Sequence, residues 1–310
     1  MRYILKMRPV LQDKIWGGNR LRTVFGYQIP SDTTGECWAI SGHPNGDCAI
    51  DNAEFAGETL GSLWSKQPQL FGNLPGETFP LLIKIIDAKD DLSIQVHPDD
   101  AYAGVHENGA LGKTECWYVL DCDEGATIIV GHNAITKDEM VGMVANGQWS
   151  ELLRQIPIQK GDFFQIDPGC LHAIKGGTLI LETQQSSDVT YRFYDYDRLQ
   201  DGKPRQLHIE KSLDVVTVPF TPASISADTQ TLDDAEIVHL VSCKYYSVYR
   251  CVINGSAKFD WQQPFVNISI LRGSGSLDGT QVKKGDHLLI TSNYGEMTVS
   301  GDMEFIYSHI

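Results

Sequence analysis

Ser93-Ile94-Gln95-Val96-His97-Pro98-Asp99-Asp100 is a short apolar alternation that stops at a proline. In an extended strand the side chains of residues i and i+2 share a face, so Gln95 and His97 point the same way, and Pro98 ends the strand just beyond them. Such a histidine suits a chelate; read alone it equally suits a surface strand end, with Asp99 capping a following helix. Two further stretches weigh toward the chelate. Gly112-Lys113-Thr114-Glu115-Cys116-Trp117-Tyr118-Val119-Leu120 begins a strand with a carboxylate otherwise followed by apolar residues, an unfavourable place for a glutamate without a partner. Gly161-Asp162-Phe163-Phe164-Gln165-Ile166-Asp167-Pro168-Gly169-Cys170-Leu171-His172 reads as a turn, a strand, a Pro-Gly corner and a histidine. His97, Glu115 and His172 make a two-histidine, one-carboxylate set of borderline ligands, which suits Zn²⁺ or Fe²⁺ at a site that keeps open positions.

Working outward, helical periodicity is sparse and falls at about residues 59–71, 137–153 and 206–215. The rest reads as short strands (37–41, 80–87, 93–97, 115–120, 127–130, 163–166, 178–183, 190–193), each bounded by Gly, Pro, Asn or Asp. Many short strands with regular turn signals predict a mainly β protein of sandwich or barrel type. After Pro222 the chain is polar and acidic to residue 235, then strand patterns return at 245–253, 266–271 and 287–291. This predicts an N-terminal domain of residues 1–220 and a C-terminal β domain of residues 221–310. A faint internal echo, Lys160-Gly161-Asp162-Phe163-Phe164 against Lys284-Gly285-Asp286-His287-Leu288, places Gly-Asp at a turn before an apolar strand in both. Either a duplicated domain or a chance Gly-Asp turn accounts for it.

Composition limits the function classes. The 310 residues carry 25 Lys+Arg against 40 Asp+Glu, a net charge of −15, which argues against nonspecific nucleic-acid binding or attachment to anionic lipid. No stretch approaches the roughly 20 apolar residues that span a bilayer, and the start lacks a leader pattern, so a cytoplasmic protein is expected. Seven scattered cysteines without a C-x-x-C pair predict reduced, mostly buried thiols. Neither G-x-x-x-x-G-K-[ST] nor G-x-G-x-x-G occurs, which disfavours nucleotide binding.

The Gly-Asp, strand, Pro-Gly-x-x-His run of residues 161–172 resembles the second motif of the cupin superfamily, and Gln95-x-His97 with Glu115 resembles the first, with Gln in place of its first His. Pro168 and Gly169 are adjacent where simple cupins separate them, and the gap from His97 to Glu115 is long enough for an inserted helix and loop. After Gly285-Asp286 the matching stretch Ile290-Thr291-Ser292-Asn293-Tyr294-Gly295 has no such histidine, so the C-terminal half is expected to lack a metal site. Longer strings are more specific. Trp16-Gly17-Gly18, the runs 80–88, 92–103 and 112–118, and Gln184-Gln185-Ser186-Ser187-Asp188-Val189-Thr190-Tyr191-Arg192-Phe193-Tyr194-Asp195 closely resemble, in order, the short bacterial form of type I mannose-6-phosphate isomerase over about residues 10–215.

The resemblance implies two cupin-type (jelly-roll) β-barrels or sandwiches with a small helical insertion. It implies one Zn²⁺ per chain on His97, Glu115 and His172 with Gln95 as a candidate fourth ligand, and a small-molecule sugar phosphate as substrate. It also places Arg192 at the active site, Lys84 and Lys113 near substrate, and Glu182 as a candidate acid/base group. Ser41 and Lys84 are candidates for the phosphate. Aldose–ketose isomerisation moves a proton between C2 and C1 through an enediolate. Fixed cations such as Arg192 or Lys113 can stabilise the growing negative charge, and a carboxylate with a tuned pKa can carry the proton. Structural readings stay open beside these: Glu182 as a strand carboxylate paired with Arg192 or Lys, Arg192 as an ion-pair partner, Lys84 facing solvent. The competing functions are an Fe²⁺ cupin dioxygenase and a noncatalytic sugar-binding cupin.

Overall fold

The computed structural model describes residues 2–225 and 227–310. Its N-terminal part is a sandwich of two antiparallel sheets. One has the strand order Phe163–Ile166, Glu115–Cys122, Thr178–Gln185, Leu81–Ala88, Val10–Gly18, Thr34–Ser41; the other runs Tyr191–Tyr194, Ile94–Val96, His172–Ile174, Thr127–His132, Leu153–Pro157. Ile86, Trp117, Val119 and Ile180 of the first pack against Ile128, Val130 and Ile174 of the second.

Strands Leu81–Ala88 and Thr178–Gln185 are buried along their whole length because their other face is covered as well. There Leu81, Ile83, Ile85, Leu179 and Leu181 meet Leu63, Trp64, Phe71 and Phe79, together with Tyr246 and Phe265 from the C-terminal part. One register of each strand therefore serves this second core, while the alternate register, which holds Lys84 and Glu182, faces the sandwich interior.

The C-terminal part is one long antiparallel path: Asp228–Leu232, Ala235–Ser242, Ser247–Trp261, Gly295–His309, Phe265–Leu277, His287–Thr291, Ile4–Arg8, Ala49–Ile50. Both parts are open, sandwich-like sheets with edge strands; neither closes into a barrel. At Gly301, φ is +141° and a Cβ would lie 2.4 Å from the Ser274 carbonyl oxygen, so only glycine lets these long strands approach there. Strand Ile4–Arg8 pairs with His287–Thr291, so the start of the chain crosses any division drawn at residue 220.

The internal echo corresponds to one repeated turn. The Gln159 amide donates to the Asp162 carboxylate at 2.8 Å, as the Lys283 amide donates to Asp286 at 3.0 Å. Gly161 and Gly285, both left-handed, donate to Val119 and Ile270, whose own amides donate back to Asp162 and Asp286.

Among the helices, Leu60–Lys66 and the turn Pro68–Phe71 fill the expected 59–71 segment, with the Thr59 hydroxyl capping the first. The 137–153 segment breaks into Lys137–Ala145 and Trp149–Leu152 at left-handed Gly147. The 206–215 segment shortens to Ile209–Val215. The insertion after His97 is helix Asp100–His106, whose Tyr102 amide is capped by Asp99 at 2.8 Å. Helix Arg20–Phe25 and strands Ile4–Arg8 and Val10–Gly18 are additional to the sequence expectation. No helix among the described residues is long and apolar enough to cross a membrane.

Candidate active site

Two cross-strand rows face each other inside the N-terminal sandwich. In the five-stranded sheet Arg192 is in register with Gln95, and Gln95 with His172, so the three side chains project from one face. In the six-stranded sheet Trp117, Glu182, Lys84 and Trp38 are successive register partners. Two residues along its strand from Trp117 lies Glu115, on the same face.

His97, Glu115 and His172 converge, with ligand atoms all within 4.8 Å of one another. His97 Nε2 is 3.5 Å from Glu115 Oε2, and His172 Nε2 is 3.3 Å from Glu115 Oε1. The outer ring nitrogens are committed elsewhere: His97 Nδ1 donates to the Val189 carbonyl at 2.9 Å, and His172 Nδ1 donates to the Cys170 carbonyl at 2.8 Å. With the proton on Nδ1, each neutral ring turns an Nε2 lone pair inward. Burial holds both rings neutral, His97 down to about 3 with the Lys113 charge adding to the effect. Lone pairs and carboxylate oxygens thus meet where only a cation satisfies them. Glu115 Oε1 and His172 Nε2 are enclosed without a hydrogen-bond partner. Lys113 supplies part of the need, its ammonium 2.9 Å from Glu115 Oε2 and 3.1 Å from His97 Nε2. Burial alone would raise Glu115; Lys113 and the histidines pull it well below the carboxylate range. The donor set fits a divalent cation.

Beside this cluster opens a cavity of about 440 Å³. Its wall carries five cations, Lys14, Lys84, Lys113, Arg192 and Arg205, against the carboxylates Glu36, Glu182 and Asp188. The lining is positive although the chain is strongly acidic. Glu182 accepts from Trp117 Nε1 at 3.1 Å and lies 3.3 Å from Lys84 Nζ; burial and the nearby Glu115 charge raise its pKa. The Lys84 ammonium also sits 5.1 Å from the Trp38 ring centroid. Arg192 donates through Nη1 to the Gln206 carbonyl, and its Nε is buried without a partner. Burial and the neighbouring Arg205 lower its pKa, so the guanidinium sits where an anion is favoured.

Sequence reasoning had named Gln95, Lys84, Lys113, Glu182 and Arg192, and all five line this cavity. Glu182 pairs with Lys84, not Arg192, and Lys84 faces inward. Ser41 is fully buried away from it, its hydroxyl accepting from the His43 amide at 3.1 Å. Lys14, Glu36, Trp38, Arg205 and His208 also line the cavity and were missed. Glu36 had a legible signal. Glu36-Cys37-Trp38 repeats Glu115-Cys116-Trp117, a carboxylate opening an apolar strand and sharing its face with a tryptophan. Here the Trp38 indole donates to Glu36 at 2.7 Å and Lys14 lies 3.3 Å away. Arg205 and His208 follow a polar hairpin with no periodicity that would orient them.

Residues 4–123 match a family model described as phosphomannose isomerase type I, catalytic domain, and residues 236–310 match mannose-6-phosphate isomerase, cupin domain. The chain is 47% identical to the probable mannose-6-phosphate isomerase GmuF of Bacillus subtilis, with 100% of each chain covered. It is 49% identical to the mannose-6-phosphate isomerase of Streptococcus mutans, with 98% of each covered. The crystal structure of the mannose 6-phosphate isomerase from Bacillus subtilis matches at a TM-score of 0.97 and 47% identity, covering 99% of both chains. The cation-lined cavity and its buried His-Glu-His cluster are thus those of a chain that belongs to the type I phosphomannose isomerase family.

Proposed function

We propose that the protein interconverts mannose 6-phosphate and fructose 6-phosphate by proton transfer between C2 and C1, with one Zn²⁺ held by His97, Glu115 and His172 and by Gln95 as fourth ligand. The observation that carries this reading is the convergence of buried ligand atoms from His97, Glu115 and His172 within 4.8 Å of one another, beside a positively lined cavity. When bound, the divalent cation polarises the sugar oxygens on which negative charge develops.

The chain's own groups do the rest. Glu182, held by the Trp117 indole and raised by burial, takes the proton at Oε2 and returns it to the neighbouring carbon. Lys84 keeps that carboxylate oriented. Lys113 and Arg192 face the enediolate oxygens, and Arg192, Arg205 and Lys14 supply the positive wall that holds the phosphate. We place the protein in the cytoplasm, where its seven free cysteines remain reduced. We retain 1–220 and 221–310 as the functional division, strand Ile4–Arg8 excepted because it joins the C-terminal sheet, with the repeated Gly-Asp turn supporting two related halves.

Family membership favours this reading over the iron dioxygenase and the noncatalytic sugar binder. A coupled assay for fructose 6-phosphate formation, run with metal analysis, tests it. Turnover that chelation abolishes and zinc restores is expected. Full turnover in metal-free protein would remove the metal, and no turnover in zinc-loaded protein would leave the sugar-binding alternative.

A further inference from the structure

Three consecutive amides lead into the strand that Glu115 opens, and each is committed to a different partner. Gly112 donates to Oδ1 of Asp100 at 3.0 Å, Lys113 to the Pro98 carbonyl at 3.0 Å, and Thr114 to Oε1 of Gln185 at 2.9 Å. The Thr114 carbonyl accepts from the Gln185 amide at 3.0 Å, so Gln185 grips that residue from both sides. At Gly112 a Cβ would lie 2.4 Å from the Asp99 carbonyl carbon, so this backbone rests directly on the start of helix Asp100–His106. The buried Lys113 side chain projects from the middle of the held stretch.

Asp100 joins these grips to the other half of the molecule. Its Oδ1 accepts from the Gly112 amide and also from Gln185 Nε2, the latter at 2.9 Å. Its Oδ2 accepts from the Tyr245 hydroxyl at 2.7 Å, while the exposed Lys244 ammonium stands farther off at 3.4 Å. Tyr245 lies in the C-terminal part, in the turn between strands Ala235–Ser242 and Ser247–Trp261. That turn is anchored, because the next residue, Tyr246, is 1% exposed, packs into the core shared by both parts and donates to Gln165 at 3.2 Å. A continuous chain of hydrogen bonds therefore runs from Tyr245 through Asp100 and Gln185 to Thr114, next to Lys113. Bonds to an ionised carboxylate are about twice as strong as neutral ones, which suits Asp100 as the hub. A lysine ammonium sits on a flexible four-carbon stem, so its placement depends on a fixed backbone beneath it.

We propose that Tyr245 and Asp100 are positioning residues for the isomerisation: through them the C-terminal part fixes the backbone from which Lys113 reaches the reacting oxygens. This rests on the reading above in which Lys113 faces the enediolate. Misplacing such a group by about 1 Å costs up to ~10²-fold in rate. An interaction made only in the transition state lowers kcat and kcat/KM together when it is lost.

Steady-state kinetics and amide hydrogen exchange on the intact, metal-loaded protein test this. Tyr245→Phe keeps the ring and removes the hydroxyl; kcat and kcat/KM should both fall by about tenfold with metal content unchanged. Asp100→Ala should lose more, and Asp100→Asn, which keeps an acceptor for Gly112 and Gln185, should recover most of that loss. In a Lys113→Met background Tyr245→Phe should have no further effect on kcat, since it acts through Lys113. A lower Tm with unchanged kcat in Tyr245→Phe, or losses that add to those of Lys113→Met, would reduce the contact to a structural one and overturn the proposal. Hydrogen exchange reads the grip without turnover: the amides of residues 112–114 should exchange about fivefold faster in Tyr245→Phe than in the parent. Equal exchange would overturn the proposal whether or not the parent is active, whereas an inactive parent with faster exchange in the variant would remove the isomerase reading and leave the grip on Lys113 in place.

Discussion

The Lys113 ammonium lies 2.9 Å from Oε2 of Glu115, with both side chains almost completely enclosed. One fixed cation thus stands against the carboxylate on which the two histidines also converge. A buried carboxylate that loses its only cation leaves an uncompensated charge, an effect of about 3–5 kcal/mol. Lys113→Met should therefore destabilise the metal-free protein by about that amount while a divalent metal recovers much of the loss. The rise in Tm on adding zinc should be larger in Lys113→Met than in the parent. An equal rise in both would show that Lys113 does not neutralise the cluster.

Arg192 lines the cavity from the strand beside Gln95, and its guanidinium donates to the Gln206 carbonyl. Arg192→Ala should lower turnover by roughly 10²–10³-fold, the range for removing one fixed charge stabiliser, with metal content unchanged. Unchanged kcat/KM would take Arg192 out of the reaction, and loss of metal would recast it as structural.

Glu182 is the buried carboxylate placed to move a proton. Glu182→Gln keeps the Trp117 contact and the volume, so turnover should fall by about 10²–10⁴-fold while metal remains bound. Deuterium from solvent should enter C1 or C2 of the sugar phosphate in the parent and not in this variant. Undiminished exchange in Glu182→Gln would assign the proton to another group.

Asp195, behind the cavity wall, anchors Arg198 and the wall residue Arg205. Burial would raise its pKa, but hydrogen bonds from Arg205, at 2.7 Å, and from Arg198 outweigh that and hold it below the usual value. A folded pKa below the unfolded value, about 3.9, gives stability that is present above that pH and lost as pH falls through the folded value. Asp195→Asn should cost about 1–3 kcal/mol at neutral pH, and its deficit should shrink in acid below about pH 4. Denaturant unfolding at both pH values measures this; a deficit independent of pH would show that the charge is not what matters.

Much of this site was legible in local pattern. Glu115 stood out because a carboxylate opens an otherwise apolar strand, and His97 because Pro98 stops its strand there. Strand Phe163–Ile166, with its Gly-Asp turn, was readable to the residue, since period-two alternation and a left-handed glycine are local properties. Glu36 carried the same signal as Glu115 and is joined to Trp38 in the same strand.

By itself, then, the sequence determined the β class, the turns and the three side chains, His97, Glu115 and His172, that the fold brings together, because strand periodicity, proline and glycine backbone preferences and the unfavourable burial of charge act over a few residues. Only the tertiary structure decided that Glu182 pairs with Lys84, that Arg205 and His208 reach the cavity, that Ser41 does not, and that Ile4–Arg8 joins the C-terminal sheet. Those relationships depend on sheet register and on which strand lies beside which, contacts between residues far apart in the chain that no local periodicity encodes.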